Sequence, residues 1–148
     1  MDFKIFKAYD VRGKHPSELN EETVFRIAEA IGKYFFLKAK SSRQERGSSK
    51  TAKLKAIIVI GRDARLSSPS LYKAVLNGLK AKSLKLKAIP VGIVTTPMFY
   101  FLVNKLKADG GIMVTASHNP KEYNGLKIVG KKAAPMSGKE ILKIINRK

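Results

Sequence analysis

A serine and a histidine stand side by side at Ser117 and His118, directly after an apolar run that predicts a buried strand. The surrounding segment, residues 111 to 128, reads GIMVTASHNPKEYNGLKI, and its Asn-Pro pair indicates a turn. A serine hydroxyl is a poor nucleophile at neutral pH. It needs a base, or a phosphate to carry, and cations that stabilise the transferred charge. The residues alone leave two interpretations open, a reactive serine and an ordinary polar loop.

Several kinds of site that use a serine or a histidine also need other residues, and this sequence lacks them. A hydrolase triad is disfavoured because His15 is the only other histidine and no G-x-S-x-G pattern occurs. No G-x-x-x-x-G-K-[ST] nucleotide loop and no pair of histidines at zinc-binding spacing are found. The chain has no cysteine, which excludes a disulfide framework and a thiolate metal site and fits a cytoplasmic location.

The charge balance is strongly basic, with a formal net charge of +19 from 30 Lys and Arg against 11 Asp and Glu in 148 residues. Such a chain attracts polyanions. The excess is concentrated in residues 38–55 and 80–87, without the interleaved aromatic residues that single-strand binding favours. A polyanion or nucleic-acid binder is therefore the less favoured alternative. No apolar run approaches the roughly 20 residues of a membrane-spanning helix, so no membrane contact is expected.

Apolar runs and helical periodicities alternate along the chain. Strands are predicted near 3–9, 56–60, 84–91, 111–114 and 126–129, and helices near 20–37, 68–82, 97–107 and from 137 to the C-terminus. This alternation predicts a single α/β domain, with a mixed, mostly parallel sheet sandwiched by helices. A basic, serine-containing stretch at about 38–54 is predicted to be an inserted loop.

Four predicted loops, each placed after a strand, contain most of the side chains that could bind a ligand or take part in catalysis. They are Tyr9–Gly13, Gly61–Ser68, Gly92–Pro97 and Thr115–Gly125. In an open α/β sheet, ligands bind beyond the carboxyl ends of the strands. We therefore expect these loops to meet at one edge of the sheet. Ser68 is predicted to be the N-cap, and Pro69 a first-turn proline, of the helix that follows the second loop.

The string TASHNP, led by GGIMV and followed by YNGLKI, closely resembles the phosphoserine loop of the α-D-phosphohexomutases, which include phosphomannomutase and phosphoglucomutase. KAYDVRG at residues 7–13, GRDARLSSPSL at 61–71 and GIVTTPMFYF at 92–101 resemble three further motifs of that family, in the family's order. Together the four motifs span nearly all of the chain except the basic stretch. The resemblance implies the N-terminal domain, domain I, of such an enzyme.

The resemblance also implies a reaction. The serine matching Ser117 is phosphorylated in the family and passes its phosphate to a hexose phosphate. The bisphosphorylated sugar then returns its other phosphate, so that 1- and 6-phosphates are interconverted. Arg12 matches an arginine close to the phosphoserine. Lys127 matches a lysine that acts as a general acid or base, and His118 matches an assisting histidine.

The remaining site residues come from the same resemblance. Tyr9 would form part of the substrate-side wall, while Thr115 and Asn119 would hold the shape of the serine loop. Ser117 would supply one Mg²⁺ ligand through its phosphate, with hexose 1,6-bisphosphate as activator. The other ligands belong to an aspartate-rich DGDxDR loop of the family's second domain, which this chain lacks.

Because domains II to IV of the family are absent from the chain, we expect little or no mutase activity from it alone. The chain would be a truncated or split product, or would join the remaining domains in trans. The alternative is a non-catalytic module that binds sugar phosphates or another protein. Among the other polar residues, Arg62 and Asp63 are expected to form a structural ion pair, and the role of Arg65 is left open.

Overall fold

The computed structural model describes residues 1–45, 47, 55–82 and 85–147. It confirms the predicted α/β class: one mixed five-stranded sheet is flanked by helices on both faces. The strands are β1 (Val11–Lys14), β2 (Ala56–Arg62), β3 (Leu86–Ile93), β4 (Gly110–Val114) and β5 (Tyr123–Gly130). The helices are α1 (Glu21–Glu45), α2 (Ser68–Lys80), α3 (Thr96–Lys105) and α4 (Gly138–Ile145), and short 3-10 turns cover Phe3–Ile5 and Lys131–Ala133.

The strand order is β1-β5-β4-β2-β3. Strands β4, β2 and β3 run parallel, whereas β5 is antiparallel to both β4 and β1. Leu126 of β5 pairs with Val11 on one side and with Val114 on the other. Strand β1 therefore begins level with the last residue of β4 and continues past it. This overhang places β1 beside the segment that follows β4.

Two apolar clusters, one on each face, hold the sheet between its helices. Residues alternate between them, as the pleat of a strand requires: Ile112 and Val114 belong to the larger cluster with α1, α2 and α4, and Met113 belongs to the smaller one with α3. Phe99 of α3 is fully buried in the smaller cluster, whereas Phe101 is exposed. Burial of a side chain such as Phe99 contributes roughly 1.5–3 kcal/mol.

The predicted strand over residues 3–9 is wrong. Phe3–Ile5 is a 3-10 turn, begun by Asp2, whose side chain accepts a hydrogen bond from the Lys4 amide. The strand is instead Val11–Lys14, which overlaps the stretch that was expected to be a turn. Its hydrogen bonds come from β5, more than a hundred residues later in the chain. Such a pairing leaves no local pattern in the sequence.

Helix α1 continues to Glu45, so the predicted loop from residue 38 is wrong over its first part. Its polar residues form the outer face of a helix whose inner face still buries Ala39. Lys38 contacts Tyr34 one turn earlier, with Nζ 3.3 Å from the phenol oxygen. The rest of the predicted loop, residues 46 and 48–54, lies outside the described residues, as does Leu84 of the predicted third strand. No helix in the described ranges is long and apolar enough to cross a membrane.

The remaining boundaries agree with the predicted elements to within a few residues. Helix α2 has Ser67 as its N-cap residue, so the expected capping role of Ser68 is wrong. Ser68 is fully buried, and its hydroxyl contacts Asp63 and Asn124 at the sheet edge. Helix α3 begins after Thr95, whose hydroxyl accepts from the Met98 amide, and Pro97 stands in its first turn as predicted.

Candidate active site

A cleft of about 670 Å³ opens at the carboxyl ends of β2, β3 and β4. This edge is where ligands bind in open α/β sheets. The cleft contains four of the predicted site residues. Its lining consists of Asp63, Ala64, Ile93, Val94, Thr95, Thr96, Pro97, Met113, Thr115, Ser117, His118 and Lys127.

The serine loop, defined here as residues 115–123, begins where β4 ends. Thr115 is buried, its amide donates to the Gly125 carbonyl at 2.9 Å, and its hydroxyl accepts from the Ser117 amide at 3.0 Å. Ser117 has a φ of 55°, in the left-handed region that only glycine adopts without strain. Its side chain is exposed at the cleft. The loop therefore holds Ser117 in a strained conformation, which is found most often at functional sites.

His118 and Lys127 reach the same cleft from different elements. His118 follows Ser117 on the loop, is exposed, and has no hydrogen-bond partner in the described part of the chain. Lys127 lies on β5 opposite Met113 of β4, and its side chain is about one-fifth exposed. The pairing of β4 and β5 thus places the predicted lysine beside the predicted serine loop.

Asp10 links two of the predicted cations, and sequence reasoning did not identify it. One of its carboxylate oxygens accepts from the Arg12 guanidinium and lies 3.9 Å from the Lys127 Nζ. Asp10 is 5% exposed, so this contact is largely screened from water. Two cations share one carboxylate, which leaves a net positive charge at the group. The aspartate stands inside the KAYDVRG motif, the one signal that could have indicated it.

Arg12 and Asn119 meet beside the cleft. Arg12 Nη1 donates to Asn119 Oδ1 at 2.6 Å, which joins β1 to the serine loop. The Arg12 Nε is buried and has no hydrogen-bond partner among the described residues. Tyr9 is 76% exposed on the segment before β1. Neither Tyr9, Arg12 nor Asn119 lines the cleft itself.

The expected ion pair between Arg62 and Asp63 is wrong. Asp63 pairs with Arg65, at 3.2 Å from its Nε, and also accepts from the Ser68 hydroxyl. Arg62 instead donates to the main-chain oxygen of Asp63 at 3.1 Å and lies over the ring of Tyr72. Asp63 therefore pairs with Arg65 in place of Arg62, and this pairing holds Arg65, whose role was left open, near the serine loop.

Asn124 and Gly125 fix the position of the chain directly after the serine loop. Asn124 is fully buried, and its amide nitrogen donates to the Ser67 hydroxyl at 2.8 Å and to the Ser68 hydroxyl at 3.0 Å. A Cβ at Gly125 would lie 2.2 Å from the Val11 carbonyl oxygen, so only glycine fits between β1 and β4.

The residues present do not by themselves fit a Mg²⁺ ion, which requires about six oxygen ligands in an octahedron. No group of three or more His, Cys, Asp or Glu side chains in the described ranges could hold a metal. Asp63 is the one carboxylate among the described lining residues, and Arg65 and Ser68 already engage its two oxygens.

Fold and site together define an α/β/α domain that presents a serine among cations at the carboxyl edge of its sheet. A family profile described as "Phosphoglucomutase/phosphomannomutase, alpha/beta/alpha domain I" matches residues 4–148. The chain therefore belongs to the phosphoglucomutase/phosphomannomutase family as a domain I, which confirms the resemblance seen in the sequence.

Several proteins similar to this chain are much longer than it. It is 40% identical over 137 residues to "Phosphohexose mutases" of Xanthomonas campestris pv. campestris, covering 93% of this chain and 26% of the relative. It is 41% identical to "Phosphomannomutase" of Escherichia coli K12, covering 96% and 27%. A solved phosphoglucomutase/phosphomannomutase family protein from Burkholderia thailandensis superposes with a TM-score of 0.76 at 32% identity, over 99% of this chain and 30% of that one. The chain thus spans about a quarter of the length of these relatives.

Proposed function

We propose that this chain is the phosphoserine-carrying domain of a phosphohexomutase of the phosphomannomutase/phosphoglucomutase type. Ser117 would carry the phosphoryl group that moves between the 1- and 6-positions of a hexose phosphate. The observation that supports this most is the placement of Ser117. It is exposed and left-handed at the end of β4, in one cleft with His118 and Lys127.

The transfer step fits the groups in this cleft. When the phosphoserine gives its phosphoryl group to a sugar hydroxyl, the P–Oγ bond of Ser117 breaks and a P–O bond to the sugar forms. The hydroxyl proton must leave, and the serine oxygen must gain a proton. The Lys127 ammonium is a suitable donor to that oxygen, and the exposed imidazole of His118 is available to assist on the sugar side.

Charge in and beside the cleft supports phosphate binding. Phosphoryl transfer is catalysed mainly by positioning and by neutralisation of the phosphate charge. Arg12 and Lys127 share the single carboxylate of Asp10, so the group keeps a positive charge. The Nε of Arg12 is buried without a partner among the described residues, and a phosphate oxygen would reach it only after the side chain moved.

The rest of the reaction requires parts outside this chain, since the chain covers about a quarter of its relatives. We propose that the phosphate on Ser117 supplies one Mg²⁺ ligand and that other domains, joined in trans, supply the rest. Those domains would also select the hexose phosphate, with hexose 1,6-bisphosphate as activator, and the chain alone would be close to inactive. A cytoplasmic location remains a prediction from the sequence.

The test is phosphorylation of the serine. The purified chain would be mixed with domains II to IV of a longer relative, glucose 1,6-bisphosphate and Mg²⁺, and its intact mass and phosphopeptides measured; the chain alone should take up little or no phosphate. We expect one phosphate, on Ser117, and none on a Ser117→Ala variant. Ser42→Ala, which removes an exposed helix serine, is the matched control and should be labelled like the wild type. Phosphate on another residue, or none, would count against the proposal.

A further inference from the structure

Arg65 makes an unusual set of contacts with the main chain of the serine loop. Its Nη1 donates to the carbonyl oxygens of Pro120 at 2.8 Å and Tyr123 at 3.2 Å. Its Nη2 donates to those of Ser117 at 2.9 Å and Asn119 at 2.6 Å. One guanidinium therefore donates to four carbonyl oxygens within residues 117–123. This stretch has no regular secondary structure until Tyr123, the first residue of β5.

The same guanidinium is anchored to the sheet edge. Arg65 Nε lies 3.2 Å from Asp63 Oδ2, and its main-chain amide donates to Asp63 Oδ1 at 3.0 Å. The Asp63 amide in turn donates to the Val114 carbonyl, the last residue of β4, at 2.9 Å. Asp63 thus links the Arg65 guanidinium, which contacts the serine loop, to the end of β4 where that loop begins.

These contacts use every donor of the two terminal nitrogens of Arg65. Each terminal nitrogen carries two N–H groups, and the four carbonyls account for all four. Nε lies in the ion pair with Asp63, and the side chain is only 15% exposed. Arg65 therefore differs from Arg12, which retains a buried donor without a partner.

We propose that Arg65 is the positioning residue of the serine loop. It fixes the backbone of residues 117–123, and so keeps Ser117 in its left-handed conformation with its hydroxyl at the cleft. It does so without contacting the transferred group. The functional part of this inference rests on the proposed role of Ser117, whereas the effect on the loop backbone does not.

The experiment compares Arg65→Lys with wild type and with Arg26→Lys, a matched control in an exposed helix pair with Glu22. Lysine keeps the charge but concentrates its three donors on one atom, so it cannot reach four separated carbonyls. Hydrogen exchange is read at the amides of Ser117, Asn119 and Tyr123, each of which has an acceptor within the loop. Labelling of Ser117 by glucose 1,6-bisphosphate and Mg²⁺, with domains II to IV of a longer relative present, is followed in parallel.

We expect Arg65→Lys to raise exchange at these three amides roughly tenfold or more, with exchange at the buried amides of β4 unchanged. Labelling of Ser117 should slow roughly 10- to 100-fold, because a displaced serine no longer meets the donor in line. Guanidinium ion added to Arg65→Ala should recover part of the labelling rate. Arg26→Lys should match wild type in both measurements.

Two kinds of result overturn the inference. Loop exchange in Arg65→Lys equal to wild type would show that the guanidinium does not hold the loop. Loss of the whole fold in both Arg65 variants would make the residue a general structural one. If wild type itself takes up no phosphate, the proposed function fails instead, and the exchange data still decide whether Arg65 fixes the loop.

Discussion

Asp10 and Lys127 meet across the sheet edge, with 3.9 Å between a carboxylate oxygen of one and the ammonium of the other. The same oxygen accepts from Arg12. Asp10 precedes the edge strand β1, and Lys127 lies on β5. The contact therefore depends on the antiparallel pairing of these strands. It holds the Arg12 guanidinium and the Lys127 ammonium on the same carboxylate.

Removing the charge of Asp10 should weaken its contacts with Arg12 and Lys127 and destabilise the fold. In Asp10→Asn, Arg12 and Lys127 would face each other without the carboxylate between them. We expect the free energy of unfolding to fall by about 1–3 kcal/mol, because largely buried cations lose their partner. Urea unfolding measures this, with Asp2→Asn at the exposed N-terminus as control. An unchanged midpoint would show that the three groups do not stabilise one another.

The backbone of Ser117 gives a second prediction. Its φ of 55° is strained for any residue with a Cβ, and glycine removes that strain at some cost in chain entropy. We therefore expect Ser117→Gly to be more stable than Ser117→Ala by about 0.5–1 kcal/mol, while neither accepts phosphate. Thermal unfolding of the two variants measures the difference. Equal stability would argue against a left-handed serine.

Gly125 gives a third prediction, on the packing of β1 against the loop. An alanine Cβ there would lie 2.2 Å from the Val11 carbonyl oxygen, which is main chain and cannot turn aside. We expect Gly125→Ala to destabilise the protein by about 3 kcal/mol or more. Gly130→Ala, whose Cβ would approach nothing closer than 3.9 Å, is the control in the same strand. Similar stability of the two variants would contradict the close approach.

Glu21 gives a fourth prediction, on pH. Its pKa is lowered from the ordinary 4.5, first by the hydrogen bond from Ser70 and also by contact with His15. A carboxyl with a lowered folded pKa stabilises the fold above its unfolded pKa, and that contribution fades as pH falls through the folded value.

Ser70→Ala should therefore lower the Tm by about 1–2 °C near neutral pH, with a difference that shrinks below about pH 4. The effect is small because the Glu21 side chain is 45% exposed, so solvent screens part of the interaction. Thermal scans between about pH 3 and pH 7 measure it, with Ser42→Ala as control. A difference that grows in acid would reverse the sign of this linkage.

The strands and helices that carry the site were predictable where the signal is local. The apolar run into β4 and the polar residues after it indicated both the strand and the loop of Ser117. Helix α3 was predicted to begin near Pro97 and the last helix at Ser137, which caps α4 in a reciprocal contact with Glu140. Each of these signals lies within a few residues of the feature it predicts.

Long-range contacts were not predictable in the same way. Strand β1 forms because β5 supplies its partners, and α1 extends through a polar segment because Ala39 still packs inward. The contacts of Arg65 with main-chain carbonyls depend on no particular side chain in the loop. A sequence pattern cannot show such contacts.

A chase from the labelled serine tests the carrier role of Ser117. With domains II to IV of a longer relative present, the chain would be labelled on Ser117 with hexose 1,6-bisphosphate and Mg²⁺, freed of donor, and mixed with glucose 1-phosphate or mannose 1-phosphate. We expect the label to leave Ser117 and appear in a hexose bisphosphate. A label that stays on the serine, or is released as inorganic phosphate at the same rate with and without sugar, would contradict a carrier role for Ser117.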